Sequence, residues 1–430
     1  MPTRRFVLAS LAAVPLRGAS FASLPNFCSH EHWGSIASIG TFPGGYRADI
    51  EPGARPGRRT TLIDLVVEPY FRGWMTAGGA TLDFNALFEK DPWDAWIALQ
   101  PVLARHRFSG VYQCTRRGIL SLYGADISRL TKPALQRLND AITDNYARHL
   151  DWYRRAMKQA NFSDVIRPVH PEFYSSAQPA ERTMMRIDPL LDLWKADNPR
   201  RRAMAALARV EPADAKSWRE FLTNLFDLAS RNGAAGTKQL QAYRRPLHFE
   251  ARSDSDVVFS GELTAGQQRT LQDWIVHECS KQAHERGWPH QVHVGTNNIT
   301  ESTPMPLASL ARAYPKMKIV MIHCWPFLKE AGWLAKFHPN VYIDTCWQPI
   351  LNPQFFREAI TTWWNYVPTH KITCGHDATT VEMAVGSSLF TREALEEVLP
   401  ERTRQMGATE AELRDAAAAV LHGNAAAIYS

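Results

Sequence analysis

Histidine and aspartate side chains stand where short apolar, strand-like runs end, at four places that lie far apart in the chain. They are His30 and His32, His293, His323 and Asp377. Imidazoles and a carboxylate that several strand ends deliver to one point are the ligands of a catalytic zinc-type site. The sequence therefore predicts one metal centre built from distant segments.

The spacing of His30 and His32 supports this prediction. Residues two apart on a strand point to the same side, so both imidazoles can reach one site while Glu31 points away. An H-x-H pair alone is a weak signal, because two ordinary polar residues at a strand end give the same pattern. The other candidates strengthen it, since His323 closes the apolar run 319–322 and Asp377 follows another apolar run.

Strand-like runs alternate with helical stretches from about residue 160 onward, which is the pattern of βα units with a parallel sheet. Nine candidate strands can be counted, at 27–32, 110–114, 165–169, 184–188, 234–238, 291–295, 318–323, 341–344 and 371–375. Eight suffice for a barrel, so one is spurious or lies outside it. The sequence predicts an α/β fold, a distorted (β/α)8 TIM barrel with helical insertions, whose active site lies at the carboxyl ends of the strands.

Residues 23–430 are predicted to form a single domain, although the length alone also allows two. Residues 41–108 separate the first two candidate strands and are interpreted as an insertion, and 115–160 are predicted to be mostly helical. The insertion either covers the barrel mouth or forms a contact between copies of the chain, so a homo-oligomer stays open. The arginine run at 200–202 opens a helix and is interpreted as a solvated face.

The first 22 residues have the features of a twin-arginine signal peptide. Arg4 and Arg5 precede an apolar stretch at 6–16, and small residues at 20–22 offer a cleavage site after Ala22. A disordered tail and a first helix of the fold are the alternatives. The order of the three parts favours export, so we expect a periplasmic or secreted protein. The apolar stretch is too short to remain as a membrane span.

Charge and cysteine spacing exclude several classes of protein. The net charge is +6, from 49 basic and 43 acidic residues, and no Lys/Arg-rich run is interleaved with aromatic residues as in a nucleic-acid binder. The six cysteines form no C-x-x-C pair, so small buried thiols are expected and a zinc ribbon is not. We expect a small-molecule substrate as the partner, with no nucleic acid and no membrane once the signal is removed.

Together, these segments resemble the amidohydrolase superfamily of metal-dependent TIM-barrel hydrolases, in particular its amidohydrolase-related branch (amidohydrolase 2). The segments that carry the likeness are the H-x-H motif at 30–32, the histidine-containing strand 291–295, and 321–325, 339–344, 374–378 and 421–426. The likeness covers most of the mature chain and is most specific over 28–34 and 290–430.

The resemblance implies a role for each candidate ligand. His30, His32 and His293 would bind one divalent metal, which is expected to be zinc. Asp377 would lie beside the metal as a ligand and as a proton acceptor.

Two further residues decide how many metal ions are implied. His323 would either bind a second metal or polarise the substrate. Lys238 lies at the end of the predicted fourth strand, where binuclear members carry a carbamylated lysine that bridges two metals. A surface lysine, or one that pairs with the substrate or a nearby acid, is the alternative. One or two metal ions are therefore expected.

The implied reaction is hydrolysis of a C–N or C–O bond by metal-activated water, with Asp377 and His323 as the catalytic residues. Two alternatives stay open. One is a non-hydrolytic member of the same superfamily, a decarboxylase or a uronate-isomerase-like enzyme. The other is an exported metal-containing binding protein.

Four residues are candidates for contacts with the substrate. Arg167, Arg186 and Arg244 could grip an anionic group such as a carboxylate, or could instead pair with nearby acids. Trp325 follows a strand and could form a wall of the pocket or pack in the core.

Overall fold

Eight of the nine strand-like runs form one parallel sheet in the computed structural model, which describes residues 20–33, 59–174, 182–195, 197–296, 298–404 and 406–430. The strands pair in chain order and are β1 (Asn26–Cys28), β2 (Phe162–Val169), β3 (Arg182–Arg186), β4 (Ala234–Gln239), β5 (Pro289–Val294), β6 (Lys318–His323), β7 (Val341–Asp344) and β8 (Ile372–Thr373). Strands β5 and β6 are buried along almost their whole length, as expected for parallel strands that helices cover. Residues 1–19 of the predicted signal peptide lie outside the described residues.

Backbone hydrogen bonds join the two ends of this sheet. The amide of Asp377 donates to the carbonyl oxygen of His30 at 2.9 Å, and the amide of His32 donates to that of Ala378 at 3.1 Å. The segments that follow β1 and β8 therefore lie side by side, and the sheet curls towards closure. The predicted α/β fold, a distorted TIM barrel, is confirmed.

The connection between β1 and β2 is helical in its described part. It contains α1 (Leu62–Val66), α2 (Pro69–Ala77), α3 (Pro92–His106), α4 (Gly110–Tyr123), α5 (Lys132–Tyr146) and α6 (His149–Gln159). The apolar faces of these helices share one buried cluster with β1, β2 and side chains of the barrel. Helices thus occupy both the described part of the predicted insertion at 41–108 and the predicted helical stretch at 115–160. Residues 34–58 lie outside the described residues.

The prediction of a strand at 110–114 is wrong, because α4 begins at Gly110. The Ser109 side chain accepts a hydrogen bond from the amide of Tyr112 at 3.4 Å and caps the helix. Gly124 ends the helix with a left-handed φ of 69°. A short apolar run fits a buried helix as well as a strand, and the residues on either side distinguish the two.

Helices follow strands β3 to β8 as βα units require. They are α7 (Pro199–Ala208), α8 (Ala215–Arg231), α9 (Ala265–Arg286), α10 (Leu307–Ala313), α11 (Leu328–Phe337), α12 (Gln348–Leu351), α13 (Pro353–Trp363), α14 (Val381–Arg404), α15 (Glu410–Ala418) and α16 (Asn424–Tyr429). A second buried apolar cluster lies between the sheet and many of these helices. All six cysteines are free and buried, as predicted. Within the described ranges, no helix has the length and apolar character that crossing a membrane requires.

Helices α4 and α14 cross at very short range. A Cβ atom on Gly118 would lie 1.7 Å from the carbonyl oxygen of Glu382, and one on Gly386 would lie 1.8 Å from the carbonyl oxygen of Cys114. Each helix thus presents a glycine to the backbone of the other. No larger residue fits at either position without separating the helices.

The buried carboxylate of Glu382 ties three inserted helices to α14. It accepts hydrogen bonds from the Tyr123 hydroxyl at 2.8 Å, the Tyr146 hydroxyl at 2.7 Å and the Trp152 indole N–H at 3.2 Å. These donors belong to α4, α5 and α6. Because α14 begins shortly after Asp377, this anchor and the helix crossing hold the inserted helices in place beside that residue.

Candidate metal centre

The carboxyl ends of the strands bring the candidate ligands to one rim of the barrel. His30 and His32 follow β1, His323 ends β6, and Asp377 follows β8. Most of the set is buried, with exposed fractions of 0% for His30, 1% for Lys238, 1% for His293, 0% for His323 and 4% for Asp377. The strand order of the barrel is therefore what gathers these distant segments.

The backbone turns sharply at this rim. Five non-glycine residues have a left-handed φ there, namely Thr296 (64°), His323 (70°), Cys324 (61°), Trp347 (68°) and Asp377 (57°). Each such residue costs about 1–2 kcal/mol. Strain of this kind concentrates at functional sites, where the surrounding structure imposes it.

One group of ligand atoms surrounds Oδ1 of Asp377. His32 Nε2 lies 2.9 Å from this oxygen and His30 Nε2 lies 3.6 Å from it. One ligand atom from each of the three residues lies within 4.8 Å of the others. Two imidazole nitrogens and a carboxylate oxygen suit zinc and other divalent transition metals.

Gln291 fixes the orientation and the tautomer of His30. Its Oε1 accepts a hydrogen bond from His30 Nδ1 at 2.8 Å, while its Nε2 donates to the Ser29 carbonyl at 2.7 Å and to the Tyr429 hydroxyl at 2.8 Å. Because Oε1 can only accept, the proton is on Nδ1 of His30, and Nε2 carries a lone pair in the neutral ring. Hydrogen bonds of this kind orient histidines that bind metals.

A second group surrounds the other oxygen of Asp377. His323 Nε2 lies 3.6 Å from Oδ2, and the ligand atoms of His323, Cys346 and Asp377 lie within 4.8 Å of one another. His323 Nδ1 donates to the carbonyl of Cys346 at 3.0 Å, so Nε2 is the acceptor nitrogen. That buried Nε2 has no hydrogen-bond partner among the described residues.

His293 lies beside these two groups without belonging to either. Its ring packs against His323 with centroids 4.2 Å apart. Its Nε2 lies 2.8 Å from the hydroxyl of Thr296, which itself donates to the Gly295 carbonyl. The Nε2–H of His293 is therefore the donor, and its buried Nδ1 has no hydrogen-bond partner in the described part of the chain.

Two hydrogen-bond donors face the ligands. Lys238 Nζ lies 2.8 Å from His30 Nε2, and the Tyr70 hydroxyl donates to Asp377 Oδ1 at 3.1 Å. Lys238 therefore lies close to the other predicted ligands. It also brings Tyr70, on α2, from the inserted helices into the site.

Burial sets the protonation of these groups. It lowers the pKa of His30 and His293 well below the ordinary value and the pKa of His323 to about 4. It lowers the pKa of Lys238 to about 8. The three imidazoles are therefore neutral at neutral pH, which is the form that binds a metal.

The arrangement of acceptors tests whether the site fits a divalent metal. Nε2 of His30, Nε2 of His323 and both oxygens of Asp377 are buried acceptors that lie close together. Buried acceptors require donors or a cation between them. Lys238 and Tyr70 supply donors to His30 and to Oδ1, and Nε2 of His323 receives none. The residues fit a divalent metal, which the fold also suggests.

A cavity of about 460 Å³ adjoins the ligands. Its lining is rich in ionisable side chains and consists of His32, Pro69, Tyr70, His170, Arg186, Asp188, Pro189, Asp192, Arg200, Lys238, Leu240, Gln241, Tyr243, Arg244, His293, Asp377 and Thr379. A cavity of this size accommodates a small molecule.

The predicted substrate residues divide into two pairs. Arg186 and Arg244 line the cavity, and each is paired with an acid, Arg186 with Asp188 at 2.6 Å and Arg244 with Asp192. The sequence left open that these arginines pair with nearby acids, and both of them do.

Arg167 and Trp325 are not in the lining of the cavity. Arg167 is buried, and its Nε donates to the Trp33 carbonyl at 2.6 Å. Trp325 stacks on Phe355 with ring centroids 4.2 Å apart. Both side chains make contacts elsewhere in the protein, and neither lies against the cavity.

The interpretation of 200–202 as a solvated face holds for Arg202, which is exposed, and is wrong for Arg200 and Arg201. Arg201 is 2% exposed and pairs with Glu211 at 2.7 Å. Arg200 lines the cavity, and its Nε donates to Glu172 at 2.8 Å. Consecutive helical residues point in different directions, so a run of arginines does not indicate which of them turn inward.

Sequence reasoning missed Tyr70, Tyr243 and Cys346. Tyr243 packs on His293 with ring centroids 4.4 Å apart. Tyr70 gave no signal, because nothing in its helix shows that the helix lies at the barrel rim. Cys346 stands two residues after β7, so the strand-end argument applied to the histidines would have selected it.

Comparison with known proteins gives the family and the fold of the chain. The sequence profile of the amidohydrolase family matches residues 183–430. The chain belongs to the amidohydrolase family. Protein fluG of Emericella nidulans is 24% identical in an alignment 233 residues long that covers 48% of this chain and 25% of that protein. The chain therefore spans about a quarter of the length of this relative.

Solved structures share the fold along nearly the whole chain. A protein described as a metal-dependent hydrolase, from Lactobacillus casei, has a TM-score of 0.63 and 17% identity, covering 96% of this chain and 98% of its own. Glucuronate isomerase from Caulobacter crescentus has a TM-score of 0.70 and 14% identity, covering 95% and 91%. At these identities the likeness shows the fold alone, and the amidohydrolase fold carries both kinds of enzyme.

Proposed function

We propose that the protein is a metal-dependent hydrolase that cleaves a C–N or C–O bond of a small molecule, with zinc as the bound ion. The observation that carries the proposal is the convergence of His30, His32 and Asp377 within 4.8 Å. A divalent metal held by these residues would act as a Lewis acid towards water and a substrate carbonyl.

Asp377 is the group placed to move a proton. It borders the cavity, and its Oδ1 is hydrogen-bonded to His32 and Tyr70. In hydrolysis it accepts a proton from the attacking water and passes it to the leaving nitrogen or oxygen. In a centre with one metal ion, the unpartnered Nε2 of His323 would orient that water. Burial raises the pKa of Tyr70 well above its ordinary value, so Tyr70 acts as a hydrogen-bond donor and not as a base.

Guanidinium groups on the cavity wall favour a substrate with an anionic group. Arg186, Arg200 and Arg244 line the cavity. Each is paired with a carboxylate, and a guanidinium in such a pair keeps further N–H donors that can hold the oxygens of a ligand. We therefore expect small molecules with a carboxylate to bind more tightly than neutral analogues of the same size.

The same arginines favour a second candidate, isomerisation of a small sugar acid. In that reaction the guanidinium groups bind the carboxylate of the sugar acid. Asp377 takes a proton from one atom of the substrate and returns it to another, instead of taking a proton from water. The fold shared with glucuronate isomerase supports this candidate.

We also propose that the chain is exported through its twin-arginine segment, which leaves a mature protein that starts after Ala22. Mass spectrometry of the periplasmic fraction would show this cleavage. Replacement of Arg4 and Arg5 by lysine should leave the uncleaved chain in the cytoplasm, whereas a cleaved and exported double variant would contradict export by this route.

The metal content of the purified protein tests the central proposal. We expect bound zinc in the wild type, loss of metal in His30→Ala, and full metal in the control His248→Ala, whose side chain is 54% exposed. The loaded protein is then assayed against amides, lactones, esters and uronates. Metal retained in His30→Ala would refute the assigned ligands. Turnover of uronates without hydrolysis would favour the second candidate, and bound metal without any turnover would favour a binding protein.

A further inference from the structure

Cys346 occupies a strand-end position equivalent to those of the ligand histidines. It follows β7 by two residues, and β7 ends at Asp344, whose carboxylate accepts a hydrogen bond from Thr373 on neighbouring β8. The Cys346 amide donates to Asp344 Oδ1 at 2.7 Å, and its carbonyl accepts from His323 Nδ1 at 3.0 Å. Both backbone groups of Cys346 are therefore held, which fixes the direction of its side chain.

The Cys346 thiol faces the metal centre. Its Sγ lies within 4.8 Å of the ligand atoms of His323 and Asp377, and the residue is fully buried. The thiol forms no hydrogen bond to a described residue, whereas Cys28 and Cys324 donate theirs to Glu31 at 3.1 Å and to the Met321 carbonyl at 3.2 Å. The Cys346 thiol, which lies next to the carboxylate of Asp377, therefore has no hydrogen bond to a described residue that would give it a purely structural role.

His323 supplies a second, independent observation. Its Nε2 is buried, carries a lone pair and has no hydrogen-bond partner among the described residues. It lies 3.6 Å from Asp377 Oδ2. The other oxygen of this carboxylate, Oδ1, is the one that faces His32 and Tyr70. The two oxygens of Asp377 therefore face two different sets of ligands.

We propose that His323, Cys346 and Asp377 form a second position for a divalent metal, with the Cys346 thiolate as a ligand and with Asp377 shared between both positions. This inference rests on the proposed metal centre at His30 and His32. A thiolate, an imidazole and a carboxylate together suit zinc or cobalt(II) and do not suit magnesium or calcium. Cys346 loses its thiol proton to solvent when the metal binds.

Cobalt(II) provides a readout of this position that does not depend on activity. Metal-free protein is titrated with cobalt(II) while the sulfur-to-cobalt charge-transfer absorption in the near ultraviolet is recorded and bound metal is counted by elemental analysis. The variants are Cys346→Ser and the control Cys279→Ser, which removes a buried thiol on α9. Thermal unfolding of each metal-free variant shows that it is folded.

We expect the wild type and Cys279→Ser to bind two cobalt ions per chain and to show the charge-transfer absorption. We expect Cys346→Ser to bind one and to lose the absorption. X-ray absorption of the zinc protein should show one sulfur ligand at about 2.3 Å. One bound ion without charge transfer in the wild type, or an absorption unchanged in Cys346→Ser, would overturn the thiolate position and leave the centre at His30 intact. No bound cobalt in the wild type would overturn both proposals.

Discussion

Gln291 offers a way to weaken metal binding without touching a ligand. Its side chain is fully buried and makes three hydrogen bonds, to His30 Nδ1, to the Ser29 carbonyl and to the Tyr429 hydroxyl. The substitution Gln291→Leu removes all three. His30 then has no acceptor that holds its proton on Nδ1, and Nε2 is no longer held as the lone-pair nitrogen.

Two magnitudes follow from these contacts. Buried groups left without a partner cost about 1–3 kcal/mol each, so the metal-free variant should lose roughly 3 kcal/mol or more of its free energy of unfolding. Loss of the group that orients a metal-binding histidine lowers metal affinity about 10–100-fold. That factor corresponds to about 1.4–2.7 kcal/mol of binding free energy.

The variant Gln291→Glu separates these two effects. A carboxylate still accepts the hydrogen bond from His30 Nδ1, but it cannot donate to the Ser29 carbonyl. We therefore expect both variants to lose stability and only Gln291→Leu to lose metal affinity. Urea unfolding of the metal-free proteins measures the first quantity, and zinc titration against a competing chelator measures the second. Equal zinc affinity in both variants would refute the role assigned to the tautomer of His30.

Three further predictions concern the inserted helices. Glu382→Leu leaves at least two buried donors without an acceptor and should lower the free energy of unfolding by about 2 kcal/mol or more. Glu382→Gln keeps an acceptor oxygen and should lower it less. Equal losses of unfolding free energy in the two variants, measured by urea unfolding, would contradict the role of Glu382 as an anchor. Gly386→Ala should cost about 1–3 kcal/mol through overpacking, and the control Gly73→Ala, with open space around its Cβ, should be neutral or slightly stabilising; thermal unfolding checks both. Burial raises the pKa of Glu68 to about 7. This pKa lies above the unfolded value of 4.5. The favourable contribution of protonated Glu68 to the free energy of unfolding is therefore complete below pH 4.5 and is lost as the pH rises through 7. Between pH 4.5 and pH 8, Glu68→Gln should gain about 3 kcal/mol relative to the wild type, and a difference that stays constant with pH would show that Glu68 is ionised in the fold.

The barrel was predictable because its strands are apolar runs of the right length between turn residues. Strands β6 and β7 lie where the runs at 318–323 and 341–344 predict them. The ligand candidates were predictable for the same reason, since the carboxyl ends of parallel strands share one face. The wrong strand at 110–114 shows the limit, because a short apolar run has the same composition in a buried helix.

Contacts that depend on how distant elements pack were not predictable. Tyr70 reaches Asp377 only because α2 lies at the barrel rim, and its local sequence is that of an ordinary helix start. Arg167 lies in β2 as predicted, yet its guanidinium is taken up by the Trp33 carbonyl. The direction of a long side chain depends on which neighbours are within reach, and the sequence alone does not give that.

The anchor between α14 and the inserted helices has a consequence for the order in which the protein is made. His30, His32 and helices α1–α6 leave the ribosome early, whereas Asp377, Glu382 and Gly386 follow much later in the chain. Contacts between segments this distant form late in folding. A nascent chain that ends before residue 370 therefore carries both histidines of the H-x-H motif, but it has neither the carboxylate they face nor the Glu382 carboxylate that ties α4, α5 and α6 to α14. The candidate metal centre and the fixation of the inserted helices are therefore both completed only after residue 386 has been synthesised.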